Sequence, residues 1–229
     1  MSQFKKLLLV FSMLFLASNA YAQNQVYIDQ IGNVSQIDVT QTGDGNTLGN
    51  ATTKTILYGD TQHITISQIG AGNTSNINIQ GAGAHLTSNV SGDNNSVDVN
   101  CGASGGAGAA CTDSIISASV TGSGNHFNVT GGAKSTFGVS AVGSSNTVTI
   151  NSNTTNMNGA TASIQTLGGD GNSITLSQSG PAAINGFNTT VNLTGSSNTI
   201  GITQSGTVDS TVNLTSNGTN NIINIRSGN

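Results

Sequence analysis

The chain contains no glutamate and no tryptophan, a single proline (Pro181) and two cysteines. Charged residues fill 6% of its 229 positions and aromatics 4%, where an ordinary soluble domain carries about 25% charge. Each shortage closes off a class of protein. Without glutamate, and with aspartates that never recur as a spaced pair, the two carboxylates of a glycosidase find no support, so no enzyme is expected. A chain this poor in lysine and arginine does not attract nucleic acid or anionic lipid by charge. Past the first 22 residues no apolar run is long enough to span a bilayer.

Those first residues read as an export signal. Lys5 and Lys6 precede an apolar run at positions 7–17, broken only by Ser12, and Ala20, Tyr21 and Ala22 supply a small-residue cleavage site. The run of 11 is too short for a membrane span. The expectation is an exported protein with a signal peptide at 1–22 and one domain at 23–229. Its remaining charge is three basic residues (Lys54, Lys134, Arg226) against nine aspartates, hence −6.

What the chain has is glycine, asparagine, serine and threonine, with valine and isoleucine at alternate positions. The alternation argues against a disordered polar tract, since a coil has no use for it. Between alternating stretches stands Gly-x-x-Asn, eight times, 21 to 30 residues apart. The turn glycines are Gly43, Gly70, Gly92, Gly122, Gly143, Gly169, Gly195 and Gly218. The asparagines are Asn46, Asn73, Asn95, Asn125, Asn146, Asn172, Asn198 and Asn221. A further, shortened turn is expected at Gly32 and Asn33, and extra residues around 50–60, 101–114 and 151–161 are expected as loops.

One such unit cannot stand alone. It buries about three or four apolar side chains worth roughly 1.5–3 kcal/mol each. Ordering its residues costs about 1–2 kcal/mol apiece. Stacking of units offsets the deficit. The fold expected is therefore all-β, a β-solenoid of about eight or nine strand–turn–strand coils spaced about 4.8 Å apart. In it glycine supplies the positive φ of a tight arc. Each Asn amide is expected to bond to that of the next coil as a buried polar ladder. Gln41, Gln68, Gln178 and Gln204 are expected to stack similarly from strand ends.

Other candidate groups are isolated. Cys101 and Cys111 bracket a flexible glycine- and alanine-rich segment, which in an exported protein reads as a disulfide. Two cysteines without a neighbouring histidine are too few to hold a metal, and no cofactor is expected. His63, His85 and His126 follow no shared register and read as surface histidines. Asp44, Asp93 and Asp170 lie inside turns, where aspartate is ordinary. Asp38 and Asp98 face outward between apolar positions and would guard against lateral strand pairing. The stretch 168–172 lacks the later aspartate of a calcium-binding nonapeptide, and 131–135 lacks the glycine before lysine of a phosphate loop.

The spacing Ser35-x5-Gln41-x-Gly43-x-Gly45-Asn46 resembles the first half of the curlin repeat, Ser-x5-Gln-x-Gly-x-x-Asn-x5-Gln. Gln68-x-Gly70-x-Gly72-Asn73 repeats its centre, while Asn172-x5-Gln178 and Asn198-x5-Gln204 reproduce its second half. Val90, Val120 and Leu193 stand where other units lack the glutamine. The resemblance implies a secreted subunit of curli, the functional amyloid fibres of bacterial biofilms, built as β-solenoids that stack end to end. It implies as partners further copies of the chain, a related nucleator or major subunit, and a curli-type outer-membrane export pore. A different class, a monomeric surface adhesin or ice-binding solenoid, is suggested by Thr147 and Thr149 at alternate outward positions.

Overall fold

A computed structural model describes residues 23–31, 35–50, 55–58, 62–78, 84–99, 115–130, 136–152, 161–179 and 186–228. The leader, the turn at Gly32 and Asn33, the Cys101 and Cys111 pair, Pro181, Lys134, and most of the three expected loops lie outside these residues.

Each alternating segment becomes a strand, and each Gly-x-x-Asn turn passes the chain from one sheet to the other. The strands before the turns are Ser35–Thr42, Gln62–Ile69, His85–Ser91, Ile115–Thr121, Thr136–Val142, Thr161–Leu167, Phe187–Thr194 and Ser210–Asn217. They lie side by side, all parallel, in an eight-stranded sheet. The strands after the turns are Thr47–Leu48, Thr74–Asn76, Ser96–Asp98, His126–Thr130, Thr147–Ser152, Ser173–Ser179, Thr199–Ser205 and Ile222–Gly228. With Gln25–Val26 at its N-terminal edge, this second parallel sheet has nine strands. The protein is a β-solenoid. Its regular coils are somewhat fewer than expected, because post-turn strands have two or three residues at the N-terminal end and reach five only at His126–Thr130.

The period-2 pattern places every second side chain between the sheets. His85–Ser91 and Ile115–Thr121 alternate exposed and buried without a break. Because strands pair in register, inward residues form columns along the solenoid. One runs Ile64, Leu86, Ile116 and Phe137; another runs Val97, Phe127, Val148, Ile174 and Ile200. All of these are buried. Ile28, Ile37 and Val39 at one end, and Leu214, Ile223 and Ile225 at the other, are only partly covered.

The segment read as a loop near residues 50–60 is corrected in part. Thr55–Tyr58 is a strand, paired in parallel with Ile28–Ile31 in a separate two-stranded sheet. At this end Tyr27 separates Gln25–Val26 from Ile28–Ile31, which belong to different sheets, so the first coils have a third side.

The turn conformation is repeated closely. The third turn position is left-handed in all eight copies, with φ between 55° and 67° at Gly45, Gly72, Asn94, Gly124, Ser145, Gly171, Ser197 and Asn220. Glycine takes this region freely, whereas a residue with a Cβ pays about 1–2 kcal/mol. Ser145 and Ser197 are exposed there. Ser145→Gly and Ser197→Gly should each raise unfolding stability by about 0.5–1 kcal/mol in urea titrations, after the extra chain entropy of glycine is subtracted.

Candidate functional site

The residue types that recur in every coil meet along one edge, where the turns stack. The turn asparagines form a continuous hydrogen-bonded column. Asn73 donates both its backbone N–H (3.1 Å) and its Nδ2 (3.0 Å) to Oδ1 of Asn46 in the preceding coil. The same double donation joins Asn95 to Asn73, Asn125 to Asn95, Asn172 to Asn146 and Asn198 to Asn172, at 2.9–3.1 Å. Asn146 and Asn221 bond through the backbone N–H alone, each at 2.9 Å.

The side-chain amide also reaches the other way. Nδ2 of Asn46, Asn73, Asn95, Asn125, Asn146, Asn172 and Asn198 donates to the turn-glycine carbonyl of the next coil at 2.7–2.9 Å. One asparagine therefore ties three coils together. These seven are buried, with amide groups satisfied as burial requires.

The glycines meet the same constraint. A Cβ built on Gly43, Gly70, Gly92, Gly122, Gly143, Gly169 or Gly195 would lie 1.9–2.1 Å from the glycine carbonyl oxygen of the next coil. No side chain fits there. The positive φ expected holds at every turn glycine but Gly169, where the inserted Gly168 takes it instead at 69°. Gly218 differs, because its Cβ would meet only Nδ2 of Asn221, at 3.3 Å.

Two parts of this column have a weaker sequence signal. Asn24 belongs to it, its Oδ1 accepting from the backbone N–H of Asn46 at 2.9 Å. No turn glycine precedes Asn24, but it stands six residues before Gln30, the spacing of Asn172 to Gln178 and Asn198 to Gln204. The second turn position also bonds between coils. Ala71 N–H donates to Asp93 Oδ1 (2.8 Å), Ser144 N–H to Asp170 Oδ1 (2.6 Å), and Asp170 N–H to Ser196 Oγ (3.1 Å).

The four glutamines do not share one column. Gln41 and Gln68 sit on pre-turn strands and bond to each other, Nε2 to Oε1, at 2.6 Å. Gln178 and Gln204 sit on post-turn strands and pair at 2.9 Å. Gln68 donates onward to Ser75 Oγ (3.0 Å), Gln178 to the Phe187 carbonyl (3.1 Å), and Thr189 bonds to Gln204. Each pair thus ties one sheet to its surroundings at a different level of the solenoid.

The histidines require a correction. His63 and His85 do share a register, paired across adjacent strands with rings stacked 5.0 Å apart. Both lie seven residues before a turn glycine, so the relation emerges when positions are counted from the turn. His126 lies on the other sheet, its Nε2 2.9 Å from Asp98 Oδ2, so the outward Asp98 has a partner. Asp38 accepts from Gln36 Nε2 at 2.9 Å. Among the described residues, no three His, Cys, Asp or Glu side chains group as metal ligands, and no helix is long and apolar enough to cross a membrane. The outward threonines form no uniform array. The column of Thr147 runs Thr47, Thr74, Ser96, His126, Thr147, Ser173, Thr199 and Ile222, broken by His126 and Ile222, and that of Thr149 also holds Asp98, Asn128, Thr175, Gly201 and Asn224. No protein family, curated protein or solved structure matches the chain.

Replacing the asparagine amide by a carboxylate tests the column directly. Asn125→Asp would turn a carboxylate oxygen towards Oδ1 of Asn95 and the Gly143 carbonyl inside a buried site. The expected loss is about 3–5 kcal/mol of unfolding free energy. Asn221→Asp, on the last coil and half-buried, should cost less than about 1.5 kcal/mol. Equal losses in urea titrations would contradict the column's role.

Proposed function

We propose that the chain is an exported structural subunit of a curli-like extracellular fibre, growing by end-to-end stacking of solenoids in a biofilm matrix. The observation that carries this reading is the asparagine column, in which each coil offers the next the same donors and acceptors, and the last described coil offers them again. Ser210–Asn217, its turn and Ile222–Gly228 keep the full repeat, with Gly218, Asn220 and Asn221 in their usual places. Among the described residues nothing donates to Oδ1 of Asn221, and no carbonyl stands where the Cβ of Gly218 would point. No described strand pairs with the outer edge of Ile222–Gly228, and such an edge is a template for another strand.

The resemblance of Gln41, Gly43, Asn46 and their later counterparts to the curlin repeat supports the same reading, as does the leader expected at 1–22. The partners implied are further copies of the chain, a related nucleator or major subunit, and an outer-membrane export pore. The role is structural, and the recurring residues serve stacking rather than chemistry.

The test is incubation of the chain expressed from Gln23. Thioflavin-positive fibrils should form, with a reflection at about 4.7–4.8 Å along the fibre axis. A monodisperse monomer after days at high concentration sinks the proposal. Gly218→Ala sharpens it. In the monomer the added methyl meets no described coil beyond it, and the strain of alanine at φ 129° falls on the last turn alone, so the inner coils stay folded; in a stack it faces the next copy's turn carbonyl, so seeded growth should fall at least tenfold, as judged by about 1.4 kcal/mol or more of lost docking free energy. Gly122→Ala instead unfolds the monomer, because its methyl would lie 1.9 Å from the Gly143 oxygen.

A further inference from the structure

The two ends of the solenoid do not match. Among the described residues both sheets have their last strands in the same C-terminal coil, Ser210–Asn217 and Ile222–Gly228. At the N-terminal end the nine-stranded sheet extends one strand further, because Gln25–Val26 lies outside Thr47–Leu48 while no strand of the described residues lies outside Ser35–Thr42. A second copy therefore cannot complete both sheets at once. Seated on Gln25–Val26, it leaves a slot one strand wide, about 4.8 Å beyond normal spacing, beside Ser35–Thr42. Seated on Ser35–Thr42, it needs the place that Gln25–Val26 occupies.

We infer that the docking surface for a second copy is the edge of Ser35–Thr42 with its turn, and that residues 23–31 are a removable cap displaced on docking. This rests on the fibre reading above and specifies which surface that reading uses. The match is close. Ser210–Asn217 and Ser35–Thr42 have eight residues each, and each ends directly before its turn glycine, Gly218 and Gly43. Aligning the turns places Val212, Leu214 and Ser216 over Ile37, Val39 and Gln41. Leu214, Ile37 and Val39 are among the side chains left partly covered in the single chain. Asn221 Oδ1 then takes the backbone N–H of Asn46, replacing Asn24 as its acceptor.

The cap is held less fully than an inner coil. Side chains 23–26 are exposed, whereas Tyr27 and Ile28 are half-buried and Ile28 packs against the core. Its bonds to the first full coil include the parallel pairing of Gln25–Val26 with Thr47–Leu48, Gln25 N–H to the Asn46 carbonyl (2.8 Å), Tyr27 N–H to the Leu48 carbonyl (2.8 Å), and the Asn24 acceptor just described. Longer contacts run from Gln41 Nε2 to the Gln25 carbonyl at 3.4 Å and from Asn24 Nδ2 to the Gln41 carbonyl at 3.5 Å. Beyond these, Thr55 N–H bonds to the Tyr27 carbonyl (3.0 Å) and Ile28–Ile31 pairs with Thr55–Tyr58. Displacing it gives up the two-residue strand and the four-residue pairing of Ile28–Ile31, and gains an eight-residue pairing along Ser35–Thr42. It also removes the one-strand slot from the junction.

Hydrogen exchange read by mass spectrometry on monomer and on seeded fibrils of the chain from Gln23 decides the matter without a mutation. The amides of Gln25 and Tyr27 should exchange at least about tenfold faster in the fibril, and those of Ser35–Thr42 at least about tenfold slower. Gain of protection in residues 23–31 with no change in Ser35–Thr42 would overturn the inference and leave the fibre reading standing. Absence of any fibril would overturn both. A chain lacking residues 23–31 should add to full-length seeds at least as fast as the parent; slower addition by that variant, with its sheet content intact, also counts against the cap.

Discussion

The side-chain amide of the turn asparagine is the constraint on which the rest of the solenoid depends. Its Oδ1 accepts from the following coil while its Nδ2 reaches a carbonyl of that coil or Oδ1 of the one before. These bonds close only if adjacent turns lie at strand spacing and in the same conformation. That excludes a Cβ at the turn glycine, because the next carbonyl oxygen already fills its place. It also fixes the left-handed third position, from which the chain leaves the turn in the direction of the second sheet. With the turns aligned, the strands on either side are in register, and alternation alone decides which side chains face inward.

The same stacking explains why charge is scarce. Parallel, in-register strands set equivalent side chains about 4.8 Å apart, so a charged residue repeated in every coil would face its own like charge above and below. The aspartates avoid this. Asp38 is paired with Thr65, and Asp98 lies between Asn76 and Asn128. Asp93 and Asp170 have alanine or serine at the same turn position in neighbouring coils. Asparagine and glutamine escape the penalty because each carries both donor and acceptor, so a column of identical amides satisfies itself. The neighbouring His63 and His85 stack as rings on the exposed face.

Much of this was legible in the sequence because turn and period are local. Gly-x-x-Asn names the arc, and Ile64, Ile66 or Val148, Ile150 name the inward face without reference to any other coil. Relations between coils were harder to read, because coils differ in length and equivalence has to be counted from the turn. His63 and His85 look unrelated until both are placed seven residues before a glycine. The four glutamines look like one set, yet Gln41 and Gln68 precede their turns while Gln178 and Gln204 follow theirs, which puts them in opposite sheets. Asn24 was hidden because it lacks the glycine that marks its equivalents. Thr55–Tyr58 was hidden because its partner, Ile28–Ile31, belongs to a third side that later coils do not show.

A column of identical interactions contains no instruction to stop. Asn221 keeps the backbone bond to Oδ1 of the preceding asparagine that Asn198 makes, at 2.9 Å against 3.0 Å. It differs in that its Nδ2 turns to Ser216 Oγ and no described coil lies beyond it. Natural sheet proteins end such edges with charge, proline or a covering segment. The last strand offers Arg226 on its outer face but otherwise repeats the interior pattern. The first coils, by contrast, break the pattern: short post-turn strands, a strand break at Tyr27, a third side and an asparagine without its glycine. The departures from the repeat are concentrated at one end. A solenoid built this way is polar, with one end that continues the repeat and one that interrupts it, and the balance between growth and restraint lies in how firmly residues 23–31 hold to the coil beneath them.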